Sequence, residues 1–319
     1  MAESVSFQRG DLGAKSPWPH RLAILTAGAT FLLILAGGLV TNTGAGLAVP
    51  DWPTTFGYTM FLYPWSKMVG GILYEHSHRL IGSVVGLLTL TLTLALWAVE
   101  PRRWVRWLGC VALGAVIIQG VLGGLRVVLL QESLAIVHGA LAQAFFGLMA
   151  SVALFTSREW NEETAPLREE GTGRLLWLSA FTTGVIYLQL VVGALLTHVG
   201  ARLDAHLLLA GLIAVLVPRL TTRIFARHAA EPRLLRPAVV LCVLLVLQIL
   251  LGLGSYVHRF TSLELPVVSS LGLALPVTHR LTGGLLLVTS LVLTLRVHRL
   301  RGSPKPVEYH GQLPGGAPA

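Results

Sequence analysis

Charged side chains are scarce in this chain, at 12% of 319 residues, and aspartate occurs only at positions 11, 51 and 204. The first shortage excludes an ordinary soluble domain, in which about 25% of residues are charged. The second excludes enzymes that grip a magnesium diphosphate through paired aspartate clusters. Cysteine is nearly absent, with Cys110 and Cys242 alone and no Cys-x-x-Cys pair. A disulfide framework and a cysteine zinc site are thereby excluded, and both thiols read as small core-filling residues. Residues 1–21 lack the apolar core and cleavage site of a signal peptide, so the first hydrophobic segment is expected to be retained.

What is abundant is apolar surface. The chain is 54% hydrophobic with a mean hydropathy of +0.70. A bilayer span needs about 20 apolar residues as a helix. Eight stretches approach that length: 22–40, 79–98, 108–128, 136–156, 175–197, 204–222, 237–257 and 277–296. The 34 glycines suit helices that pack closely in lipid. The expected fold class is an all-α membrane protein, with eight transmembrane helices in two similar four-helix bundles.

The net charge of +9 could suggest nucleic acid, but its distribution says otherwise. All but six of the 24 Lys and Arg fall in the two termini and the loops after the even-numbered segments. The six exceptions are Lys67, Arg79, Arg126, Arg202, Arg259 and Arg280. Positive charge collects on the cytoplasmic side, so both termini are expected inside a cell (inner) membrane. Membrane lipid, and no nucleic acid, is the expected surrounding.

The charged stretch 157–174 divides the chain. Residues 1–21 read as a cytoplasmic N-terminal segment, 22–156 as one four-helix half, 175–296 as the other, and 297–319 as a cytoplasmic disordered tail. With an even number of spans in each, the halves share one orientation, as in parallel repeats. Smaller echoes occur as Gln119 with Gly123, Gln189 with Gly193, and Gln248 with Gly252. Gln and Gly four apart lie on one helix face. The glycine admits a neighbouring helix or a flat ligand and the glutamine bonds across; ordinary small-residue packing explains the pattern equally well.

Ionisable groups at membrane depth are costly and usually functional. His78, His138, His206 and His279 each open an even-numbered segment, so all four lie near one boundary of the bilayer. Helical bundles hold hemes between facing helices, and iron in a porphyrin takes two axial imidazoles. Two histidines per half suit one such site in each. His198 and His258 lie near the same boundary as alternative ligands.

Arg79 and Arg280 directly follow two of these histidines. A guanidinium can bind a heme propionate bidentately; snorkelling to lipid phosphate is the competing reading. The loop 41–77 is long and aromatic, and is expected to act as a lid over the first four helices. Within it Asp51 is expected to cap a turn. Glu75 precedes His78 by three residues and would share its face if the helix reaches back that far. A carboxylate there could take up protons or stabilise a developing cation. The alternative is a carboxylate that complements the helix dipole.

Together, the Gly44-x-Gly46 to Asp51-Trp52-Pro53 loop, Glu75-x-x-His78-Arg79, His138, His206 and His279-Arg280 resemble the heme A synthase family over nearly all of residues 22–296. The resemblance implies an oxidoreductase with eight helices in two halves, acting in heme A biosynthesis and cytochrome oxidase assembly. It would oxidise the C8 methyl group of heme O to a formyl group through successive hydroxylations. The resemblance also implies roles. His78 and His138, with Arg79, would hold the substrate heme O; His206 and His279, with Arg280, would hold heme b; Glu75 would be catalytic. The heme O-making enzyme, heme O synthase, is a candidate partner, and a homo-oligomer is left open. One departure is the lack of the outer-loop cysteine pair that many bacterial members carry, which removes any disulfide-linked redox step.

Two other classes compete. A di-heme b-type membrane electron-transfer protein would also use four histidines, but needs neither Glu75 nor a long first loop. A transporter with parallel repeats would place ionisable groups at the helix centres, which are apolar here.

Overall fold

The structure is a computed structural model that describes residues 16–162, 172–261 and 269–301. Eight helices are long and apolar enough to cross a membrane. They are α1 (Trp18–Asn42), α2 (Gly71–Val99), α3 (Arg103–Leu129), α4 (Glu132–Thr156), α6 (Thr172–Val199), α7 (Leu203–Arg227), α8 (Pro232–Phe260) and α9 (Ser269–Leu300). The short α5 (Arg158–Asn161) follows α4, its first turn capped by Ser157, whose hydroxyl accepts from the Trp160 N–H. The expected N-terminal segment, linker and tail fall largely outside the described residues.

Backbone polar groups have no water to bond in lipid, so helices that satisfy them internally are the stable solution. Threonine hydroxyls follow the same logic: Thr26, Thr30, Thr89 and Thr93 each donate to the carbonyl four residues earlier. Large apolar side chains such as Leu87, Val111, Val215 and Leu250 face outward, as a lipid-facing surface requires.

Helices α1 to α4 pack in sequence, and α4 returns to α1; α6 to α9 do the same, with α9 on α6. Each group has its own apolar core. Leu92, Leu96, Ala112 and Met149 lie in the first; Val217, Leu220, Leu241 and Leu293 lie in the second. The groups meet where α4 touches α6 and α9, and where α1 touches α9.

Two helix starts differ from the hydropathy reading. Helix α2 begins at Gly71 and α9 at Ser269, each eight residues before its apolar stretch. In α2 the reason is visible. The polar run Glu75-His76-Ser77-His78-Arg79 ends the hydropathy signal, but Glu75, His76 and Arg79 find partners within the protein and the backbone stays helical. His78 and His279 therefore lie inside their helices rather than at the tips.

The loop between α1 and α2 is ordered around a two-stranded antiparallel hairpin, β1 (Thr54–Thr55) and β2 (Tyr58–Thr59). Its turn places Phe56 at φ 50° and Gly57 at φ 77°, the left-handed pair that tight hairpins use. Asp51 caps this turn: its carboxylate accepts from the N–H groups of Phe56 and Gly57 and from the Thr54 hydroxyl. Burial alone would raise the Asp51 carboxyl, but these donors outweigh it and hold it at about 2.

Candidate functional site

His78, His138, His206 and His279 meet in two pairs. The His78 and His138 ring centroids are 6.4 Å apart with the planes at 76°; those of His206 and His279 are 6.3 Å apart at 66°. One metal held between two imidazoles at roughly 2 Å from each nitrogen would separate the ring centroids by about 6 Å. Each pair thus has the spacing of a two-ligand axial site.

Each ring rests on a glycine of the preceding helix. A Cβ built on Gly37 would lie 3.1 Å from Cε1 of His78, and one on Gly123 would lie 3.3 Å from Cε1 of His138. The corresponding distances are 3.3 Å for Gly193 to His206 and 2.9 Å for Gly252 to His279. Helices α1, α3, α6 and α8 therefore form notches that receive the imidazoles. The Gln–Gly spacing places both residues at one histidine, because the glutamines contact the same histidine residues. Gln119 Nε2 donates to the His138 carbonyl at 3.1 Å and Gln189 Nε2 to the His206 carbonyl at 3.0 Å. Gln189 Nε2 also lies 3.3 Å from His206 Nε2, and Gln248 Nε2 lies 3.4 Å from His279 Nε2.

The four Nδ1 atoms are buried and make no hydrogen bond of normal geometry. Weaker polar contacts from the backbone of Leu33, Gln119 and Gln248 reach His78, His138 and His279. Those residues stand four positions before Gly37, Gly123 and Gly252, so these three notches bring their rings toward the carbonyl below. A ligating imidazole commonly directs its other nitrogen at such a carbonyl. Among the described residues no group of three or more His, Cys, Asp and Glu gathers. Two imidazoles alone cannot complete a tetrahedral metal site; they suit a metal whose remaining positions come from a macrocycle. The paired spacing, the notches and the buried nitrogens fit a heme.

Glu75 and Arg79 form a buried ion pair at 2.8 Å, one turn apart on α2. Both face the loop. The second Glu75 oxygen accepts from the Val49 N–H at 2.9 Å. Arg79 Nη1 donates to the carbonyls of Asp51 (2.7 Å) and Thr54 (3.0 Å), and Nη2 also donates to the Val49 carbonyl at 3.0 Å. Arg79, expected at a propionate, clamps the loop to α2 in this structure. Neighbouring contacts extend the clamp. Buried His76 bonds through Nδ1 to the Thr55 hydroxyl at 3.1 Å, and the Trp52 ring lies on Gly124 of α3, 2.2 Å from where a Cβ would stand. The loop crosses from α1 over α2 to α3.

Arg280 reaches between the helix groups, its Nη1 3.4 Å from the Thr41 hydroxyl at the end of α1. His198 lies within the electrostatic reach of Arg280, Arg126 and Arg259. His258 packs against Gly272, and neither histidine joins a pair. Reading the sequence missed Gly37, because the residue four before it is Leu33 and no Gln–Gly spacing marks α1. It also missed Gln143, buried on α4 against Gly284 of α9.

The chain is similar to known proteins. A family model described as cytochrome oxidase assembly protein matches residues 20–205. The chain is 30% identical over 193 residues to a heme A synthase of Shouchella clausii, covering 57% of this chain and 60% of that protein. It is 28% identical over 246 residues to a heme A synthase of Cereibacter sphaeroides, covering 61% and 62%. To a heme A synthase of Exiguobacterium sibiricum it is 33% identical over 193 residues, covering 57% and 61%. The match thus spans about three-fifths of the length of these relatives.

Proposed function

Because this chain belongs to the cytochrome oxidase assembly protein family, we propose that it acts in heme A biosynthesis as a heme A synthase, an oxidoreductase of the C8 methyl group of heme O. The observation that carries this reading is the pair of matched histidine sites, at 6.4 and 6.3 Å, each set in glycine notches. Residues 22–156 and 175–296 are read as duplicated halves, the first taking the substrate and the second taking heme b. The membrane is the cell (inner) membrane, with both ends cytoplasmic.

In this reading His78 and His138 bind and orient the substrate heme O by its iron, which fixes where its edge lies. Gly37 and Gly123 set the reach of the two rings. The clamped loop excludes water from the outer end of the site, which strengthens every charge interaction inside it. Glu75 holds a buried carboxylate one turn from His78, fixed by the Val49 N–H and Arg79. It stabilises positive charge that develops on the substrate edge and accepts the protons released there. His206 and His279 would hold heme b, with Arg280 nearby; when bound, heme b supplies one-electron redox chemistry.

A di-heme electron carrier would use the same histidines, but it has no use for the buried ion pair and hairpin over the first site. The deciding experiment is heme extraction and chromatography from cells expressing this chain with a heme O synthase. Heme A that appears only with this chain supports the proposal. Unchanged heme O beside a purified protein holding only heme b overturns it in favour of the electron carrier.

A further inference from the structure

With Arg79 engaged by the loop, the first histidine pair needs another cation if it is to hold an acidic ligand. Arg126 stands in the last turn of α3, close enough to act electrostatically on His78, His138 and His198. Among the described residues it makes no hydrogen bond and no ion pair. Its guanidinium does not reach outward as a snorkelling side chain would. It lies beneath the loop against Gly46, where a Cβ would stand 2.2 Å from Nη2 and 3.2 Å from Nη1. Gly46 therefore leaves room for a planar cation between the lid and the first pair. The second pair has a counterpart in Arg280, whose one polar contact among the described residues is the 3.4 Å approach to Thr41. Arg259 lies within its electrostatic reach, and donates to the Thr197 carbonyl at 3.2 Å. No described carboxylate pairs with Arg126, Arg259 or Arg280.

We infer that Arg126 is the carboxylate-binding residue of the first site, holding a propionate of the porphyrin that His78 and His138 ligate. This rests on the heme reading above and moves to Arg126 the role that position alone suggested for Arg79. A guanidinium with no partner among the described residues, beneath a lid and within electrostatic reach of two buried imidazoles, matches a ligand with a metal at its centre and carboxylates at one edge. Fork-like recognition of carboxylate is what arginine provides and lysine does not. The placement also sets rotation about the His78–His138 axis, and thereby which methyl group faces Glu75.

The test uses the full chain in detergent, prepared with heme supply limited, and titrated with iron protoporphyrin IX or its dimethyl ester. The ester keeps the iron and the ring but lacks the carboxylates. The wild type should bind the free acid roughly tenfold or more tightly than the ester at the first site. Arg126→Gln should lose that preference for one heme equivalent while ester affinity is unchanged, and Arg126→Lys should restore part of it. Arg79→Gln should keep the preference in whatever heme it binds. Retention of the acid preference in Arg126→Gln, or equal weakening of acid and ester, overturns the inference. A wild-type Soret spectrum identical to that of His78→Ala would mean that no heme binds the first pair. That outcome overturns the functional reading itself, and this inference with it.

Discussion

The backbone of Gly252 on α8 approaches the His279 ring of α9 so closely that a Cβ there would stand 2.9 Å from Cε1. That is inside normal contact and involves a ring held within its helix, so the ring or the helix must move. Gly252→Ala is expected to displace His279 and lower bound heme b, with overpacking of about 1–3 kcal/mol. Gly193→Ala, at 3.3 Å, should do so more mildly. Gly114 and Gly211 have nothing within 4 Å, so alanine at either should leave heme content unchanged. Absorbance of the purified variants checks the series; a Gly252→Ala protein with full heme would sink the notch account.

Removing either imidazole of the second pair should be more severe. His206→Ala and His279→Ala are each expected to lower bound heme b, because one remaining imidazole leaves the iron without its second axial ligand. The pyridine hemochrome content per mole of protein measures this. Unchanged content in both variants would reject the ligand assignment.

Glu75→Ala isolates the proposed catalytic carboxylate. It leaves Arg79 without its ion pair and the Val49 N–H without an acceptor, a loss of about 3–5 kcal/mol for a broken buried pair. The second histidine pair is on other helices, so heme b should stay bound while conversion of heme O stops or stalls. Glu75→Gln, which can still accept from Val49, should keep more of the fold but not the chemistry. Loss of heme b in both variants would show that Glu75 acts through structure alone.

The hairpin should respond to acid with a defined sign. The folded pKa of Asp51, about 2, lies below its ordinary value of 3.8. Its stabilisation is therefore fully present above about 4 and is lost as pH falls toward 2. Limited proteolysis within residues 51–59 should accelerate across that window. Asp51→Asn should cleave faster at neutral pH and lose the pH dependence; a variant that keeps the wild-type profile would assign the response elsewhere.

Trp52 and Gly124 offer a separate handle on the lid. A Cβ on Gly124 would stand 2.2 Å from the indole, so Gly124→Ala should expel Trp52 from α3. Tryptophan emission should shift to the red and the loop should become protease-sensitive, with heme b content preserved. A protected loop in this variant would show that the lid is held without that contact.

Much of this architecture is legible in one dimension because lipid simplifies the problem. Apolar runs long enough to span must become helices. The histidines stood out for a related reason: an ionisable group in such a run demands a partner. The Gln–Gly spacings were visible but ambiguous, since a notch for a helix and a notch for a ring have the same sequence.

The fate of the two His-Arg dipeptides was not legible. Both read alike along the chain, yet Arg79 turns back to three carbonyls and Glu75 of its own loop and helix, while Arg280 reaches toward Thr41 on the other helix group. Which acceptors surround a guanidinium depends on segments far away in sequence. Gly37 was missed for the same reason, since only its contact with His78 distinguishes it from other glycines of α1.

By itself, then, the sequence determined the number of spans and the division of the four histidines between two stretches of chain. Hydropathy and charge are properties that each residue carries wherever it goes. Only the tertiary structure decided which imidazoles face each other, which arginine the lid engages and which it leaves for a ligand. Those outcomes depend on distances between helices, and packing sets them to within an ångström or two.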